Sequence, residues 1–132
     1  MKTKTMLILA EEAKMTNQGV RNLEALISKI SYEIVAEEIL EETEINKLLG
    51  VLASNGVYAM WVWAKSQKDI NENDLFNKLM EVMKFIKEKN EEDSFENYFQ
   101  SISEDLHKLL FLKQILEKTL IYARYHAKAL GD

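Results

Sequence analysis

Residues 48 to 64, Leu-Leu-Gly-Val-Leu-Ala-Ser-Asn-Gly-Val-Tyr-Ala-Met-Trp-Val-Trp-Ala, form the longest stretch of the chain without a Lys, Arg, His, Asp or Glu. Both tryptophans fall in it, Trp61 and Trp63, and on a helix two residues so spaced point about 200° apart. A helix apolar on every face belongs in the interior. The pattern therefore predicts a central helix over 48–66 around which the rest is organised. The run is near the lower length limit for a bilayer crossing and carries Gly50, Ser54, Asn55 and Gly56, so it reads as a buried core helix and not a membrane span. Gly50, Ala53, Ser54, Gly56 and Ala59 are what a closely approached helix would need. Asn55-Gly56 is also a turn signal that could split the run into two short helices. Its flanks lack hairpin alternation, and the reading favours one helix, bent at Gly56, with the glycine serving packing.

Other apolar positions recur at helical spacing. Met6, Leu7, Leu9, Ala10 and Ala13 mark a helix over 3–15, closed by Thr16, Asn17 and Gly19. Val20, Leu23, Ile27, Ile30 and Ile34 give an amphipathic stripe to a helix over 17–44. Its far half is acidic, with Glu33, Glu37, Glu38, Glu41, Glu42 and Glu44 and no basic residue among them; acids there oppose the helix dipole. A solvated face explains them, and a docking surface for a basic neighbour is the functional alternative. Leu75, Phe76, Leu79, Met80, Met83 and Ile86 predict a helix over 72–89 behind an Asn71/Asp74 cap. Asp93 and Glu96 have the same spacing and open a short helix through Phe95, Tyr98, Phe99 and Ile102, aromatics that read as core and not as a base-stacking platform. The last helix, 103–130, has two apolar stripes, Leu106, Leu109, Leu116, Leu120, Ala123 and Ala127, and Phe111, Leu112, Ile115, Tyr122 and Tyr125. So wide an arc implies contact on two sides, or one side kept for another subunit. Lys113, Glu117, Arg124 and Lys128 form its polar seam. The fold expected is all-α, a single-domain bundle of about five to six helices, with N-terminal helices in 1–47, a central helix in 48–66 and C-terminal helices in 72–132.

Composition narrows the function classes. The chain has 132 residues, 47% of them hydrophobic, no proline, no cysteine and a formal net charge of −5. One domain with a real core follows from the length. Disulfides and thiolate metal sites are excluded. The acidic balance argues against a general polyanion binder, yet residues 106 to 132 carry five Lys or Arg against two acids. The opening Met-Lys-Thr-Lys-Thr-Met-Leu-Ile-Leu-Ala reaches Glu11-Glu12 too soon for an export signal, and the chain reads as cytoplasmic. Glu104-x-x-His107 has the form of a di-iron half-motif, but Ala123 stands where His126 would need a second glutamate. Neither a strained nucleophile turn nor a phosphate-binding glycine loop is present. The chain reads as no enzyme, with no cofactor and no metal.

Three features in order carry a family resemblance: Leu48-Leu49, Asn55-Gly56-Val57 and Trp61 leading to Ala64-Lys65-Ser66; Tyr98-Phe99; and the closing Leu120-x-Tyr122-Ala123-Arg124-Tyr125-His126-Ala127-Lys128-Ala129-Leu130. Together they resemble the small subunit of the type III-B CRISPR effector, the Cmr complex, over roughly residues 48 to 130; the earlier residues match in helical character only. The resemblance implies a small all-helical, non-catalytic subunit in antiviral defence. It would stack head to tail with copies of itself beside other Cmr-type subunits and help hold the guide–target RNA duplex by backbone contacts. Arg124 matches a basic position in the family's closing segment, whereas Tyr125 stands where the family often has a second basic residue. Lys65 falls where the family has a lysine after its central helix. Lys128 lies one turn beyond Arg124, and Lys113 shares that seam. These four are the candidate nucleic-acid or subunit contacts, and Glu37, Glu38, Glu41 and Glu42 are the candidate acidic docking face. A helical interaction or regulatory module unrelated to CRISPR is the second reading.

Overall fold

A computed structural model describes residues 17–131, so the helix expected over 3–15 lies outside the described residues. Those residues form six helices, which we number α1 (Asn17–Ala36), α2 (Glu42–Asn55), α3 (Val57–Ser66), α4 (Glu72–Met83), α5 (Phe95–Ile102) and α6 (Leu106–Gly131). No strand occurs among them. The all-α bundle expected from the pattern is what the chain builds.

The hub differs from expectation. α6, at 26 residues the longest helix, touches each of the other five. Its two apolar stripes merge into one inward arc of Phe111, Leu112, Ile115, Leu116, Leu120 and Ala123, all buried. α1 runs parallel to it, since Glu24 meets Lys118 and, two turns on, Tyr32 meets His126. α2 runs the opposite way, because its first turn meets Lys128 near the end of α6. Leu23, Ile27, Ile30 and Ile34 of α1 close the other side of the core with no exposed surface.

The stretch 48–64 is two helices and not one. Asn55 ends α2, and Val57 begins α3. Between them Gly56 adopts φ 95° and ψ −175°, a conformation open to glycine alone. Its N–H bonds the Leu52 carbonyl, and its carbonyl accepts from Met60, so one residue ends one helix and starts the next. Nothing lies within 4 Å of where a Cβ on Gly50 or Gly56 would stand. The glycines therefore serve no close helix approach, and Gly50, Ala53 and Ser54 face outward. Leu48, Leu52, Val57, Met60, Trp61 and Ala64 point inward, while Tyr58 and Val62 are exposed.

The acidic stretch is also broken. α1 stops at Ala36, where the Glu38 N–H bonds the Val35 carbonyl and the Ile39 N–H reaches back to Ile34. This is a Schellman closure with Glu38 at φ 56° in the position glycine usually fills. Glu41, Glu42 and Glu44 thus stand at the start of α2, where the dipole favours carboxylates, and not at the end of a longer helix. Glu44 also accepts from the Glu41 N–H at 2.8 Å.

Caps set the remaining boundaries. Asn71 accepts from the Asp74 N–H as its spacing predicts, and α4 ends six residues before the expected 89. The cap of α5 is Ser94, which accepts from Asn97, one residue later than the Asp93/Glu96 spacing indicates. Asp105 accepts from the Lys108 N–H and caps α6. That role accounts for an acid beside His107.

Candidate nucleic-acid and subunit interface

Lys113, Arg124 and Lys128 fall within about 60° of one another around α6, by helix geometry alone. They border the buried stripe, Lys113 and Arg124 half-buried and Lys128 exposed, with Glu117 between them and the exposed Leu106 and Leu110 below. Each cation has a different setting. The Lys128 ammonium meets Glu42 at 3.1 Å with both side chains well exposed, a pair that contributes under about 1 kcal/mol. The Arg124 guanidinium lies 5.9 Å from the Tyr125 ring centroid. Lys113 is half-buried and has no charged partner among the described residues.

Lys65 is not part of this stripe. It closes α3, where a cation suits the helix C-terminus, and its ammonium lies 4.5 Å from the Trp61 ring centroid. The Trp61 indole N–H donates to Glu72 in the first turn of α4 at 3.0 Å. Lys65 thus covers a buried ring whose polar edge is already satisfied.

The four candidate acids do not share one face. Glu37 follows the end of α1, Glu38 holds the left-handed turn, Glu41 precedes α2 and Glu42 opens it. Two are paired within the chain, Glu42 with Lys128 and Glu37 with Lys78. Lys78, on α4, also holds Glu33 at 3.1 Å. Desolvation pulls its pKa down, but the hydrogen bonds it donates to Glu33 and Glu37, with their negative charge, more than offset that and leave it raised. Beside this trio an open cleft of about 450 Å³ is lined by Glu37, Ile39, Asp74, Asn77, Lys78 and Glu81. Part of the acidic charge expected to seek a neighbouring subunit is therefore neutralised inside the molecule. Glu33 and Glu37 share a face at helical spacing, but nothing in the sequence tells which lysine would bridge them.

The aromatics divide by position. Trp61, Phe76, Phe95, Tyr98 and Phe99 form a chain of ring contacts joining α3, α4 and α5, with centroids 5.3–6.4 Å apart, so the expected core role of the Phe95–Ile102 helix holds. Burial pushes the Tyr98 phenol well up; its hydroxyl donates to the Lys87 carbonyl at 2.7 Å. Tyr58, at the rim, donates to Glu96, and that hydrogen bond raises its pKa. Tyr32 and Tyr125 lie open on the surface. Sequence reading assigned Tyr125 to a packing stripe. Its placement one step off the buried arc, beside a cation, was visible only on a helical projection of the whole of α6.

Among the described residues no group of three or more His, Asp or Glu is placed to hold a metal ion. No helix among them is long and apolar enough to cross a membrane. No family model matches the chain, and neither a curated protein nor a solved structure matches it.

Proposed function

We propose that this chain is a non-catalytic small subunit of a type III-B CRISPR RNA-guided effector, the Cmr complex. It stacks with further copies and with neighbouring subunits and helps hold the guide–target RNA in antiviral defence. The observation that carries the reading is the ordered set of motifs from Leu48 to Leu130 that resembles that family. The stripe of Lys113, Arg124 and Lys128 along one side of the helix that closes the set supports it. In such an assembly base pairing reads the sequence, and the protein touches phosphates. A few placed cations suffice for that, which fits an acidic chain whose residues 106 to 132 carry five Lys or Arg against two acids.

Expression with the chain's own genomic neighbours and purification through a tag on it tests the reading. Guide RNA and several RNA-binding subunits should co-purify in fixed proportion. Replacing Arg124 and Lys128 by glutamate should reduce retained RNA, with the largest deficit at low salt, where phosphate contacts contribute most. A chain that comes down free of RNA and of those subunits overturns the proposal. One dominant protein partner with no RNA would favour a helical interaction module instead.

A further inference from the structure

Near its C-terminal end α6 carries a ring that the bundle leaves uncovered. Tyr125 is 60% exposed, although Ala123 and Ala127 on either side of it are buried. Its neighbours are cationic: the Arg124 guanidinium sits 5.9 Å from the ring centroid, and Lys128 follows at i+3, on the adjoining turn. Round the other flank His126 meets Tyr32 of α1 edge to face, with centroids 5.5 Å apart, and Tyr32 is 50% exposed. Travelling around α6, the surface therefore presents a cation, an open ring, an imidazole and a second open ring.

We infer that Tyr125, with Arg124 at its side, is a stacking platform for an unpaired base of single-stranded RNA, and that Arg124 and Lys128 take the adjoining phosphates. The inference rests on the RNA-complex reading above and deepens it, because it adds a contact to a base face where that reading needs only the backbone. The chemistry favours RNA over a protein surface. Every nucleobase offers a π-face to an aromatic ring, and a neighbouring arginine contributes both stacking and charge. A packed protein partner would want a contiguous apolar patch, whereas Ile121 and Tyr122, one turn before Tyr125, are half-buried and the exposed ring is bordered by Arg124 and Lys128. A duplex hides its base faces in its own stack, so the ligand is an unpaired nucleotide.

The test uses the full 132-residue chain and a fluorescently labelled oligouridine of about ten nucleotides, a length within the range of single-strand sites. Anisotropy is read at low salt, where phosphate attraction is greatest. Wild type and Tyr125→Phe should bind alike, and Tyr125→Ala should bind roughly tenfold more weakly. An abasic oligomer of equal length and charge should bind wild type as weakly as the uridine strand binds Tyr125→Ala. Matching unfolding curves show that the alanine variant is folded. Unchanged affinity in Tyr125→Ala, or equal affinity of wild type for abasic and uridine strands, overturns the inference. Tyr125→Ala that keeps its RNA affinity but no longer co-purifies with partner subunits also overturns it and assigns the ring to a protein contact. Wild type that still co-purifies with guide RNA while failing the stacking test leaves the subunit proposal standing.

Discussion

Phe76 and Phe99 are sealed in the knot between α3, α4 and α5, whereas Tyr32 and Tyr125 leave half or more of their surface in water on α1 and α6. Both sets lie at helical spacing in apolar stretches, and residue type alone does not separate them. The difference lies in what surrounds each ring. Phe99 touches Trp61, Phe76, Phe95 and Tyr98, so its removal would open a hole that rigid neighbours cannot fill. Tyr125 touches a guanidinium on one side and solvent on the other. The first set holds the bundle together, and the second is available for recognition.

The sharpest way to break this comparison is to truncate one ring from each set. Phe99→Ala should cost about 3–5 kcal/mol in urea unfolding, while Tyr125→Ala should stay within about 0.5 kcal/mol. Comparable losses at both sites would erase the distinction.

The knot also depends on how α3 enters it. Gly56 sets that direction from φ 95°, and Gly56→Ala should cost about 1–3 kcal/mol through backbone strain alone, since a Cβ there meets no neighbour within 4 Å. A neutral result would show that the junction tolerates another conformation.

Tyr98 sharpens the comparison through pH. Its buried phenol is raised above the ordinary 10.0, so the unfolded chain loses that proton first. Stability from this group is full below pH 10 and falls as pH rises beyond it. Tyr98→Phe should lose about 1 kcal/mol near neutrality for the Lys87 hydrogen bond and should show a shallower alkaline decline than wild type. Unfolding free energies measured at intervals from pH 8 upward check both.

Smaller effects belong to the charged rim. Glu38→Gly should stabilise the chain by about 0.5–1 kcal/mol, because glycine removes the steric cost of φ 56° at the end of α1. Glu42→Gln should change stability by less than about 0.5 kcal/mol, given how exposed its pair with Lys128 is. A loss well above that would mark the pair as structural and remove Lys128 from the proposed RNA contact.

Much of the bundle was legible along the chain. The Leu23–Ile34 stripe, the Phe95–Ile102 helix and most inward positions of the last helix, though not the exposed Leu106 and Tyr125, are where periodicity places them, because burying an apolar face is a local requirement each helix carries in its own spacing. Boundaries were less legible. The acidic stretch reads as one long helix because glutamate is a good helix former. Its actual break depends on a Schellman closure at Glu38, which the residue type does not advertise. The Asn55-Gly56 signal was present, but flanks without hairpin alternation suggested continuity.

The candidate surface was legible in one dimension only. Spacing alone put Lys113, Arg124 and Lys128 on one stripe, and it put Trp61 and Trp63 on different sides of their helix. Which cation would be occupied was decided by pairs far apart in the chain: Lys128 with Glu42, Lys118 with Glu24, and Lys78 with Glu33 and Glu37. The sequence by itself determined the helices, their apolar faces and the sign of charge on each. Only the tertiary structure decided that α6 and not residues 48–64 is the hub, and which charges neutralise one another. The reason is that helix formation is driven by neighbours three and four residues away, whereas partners across the bundle are chosen by how whole helices pack.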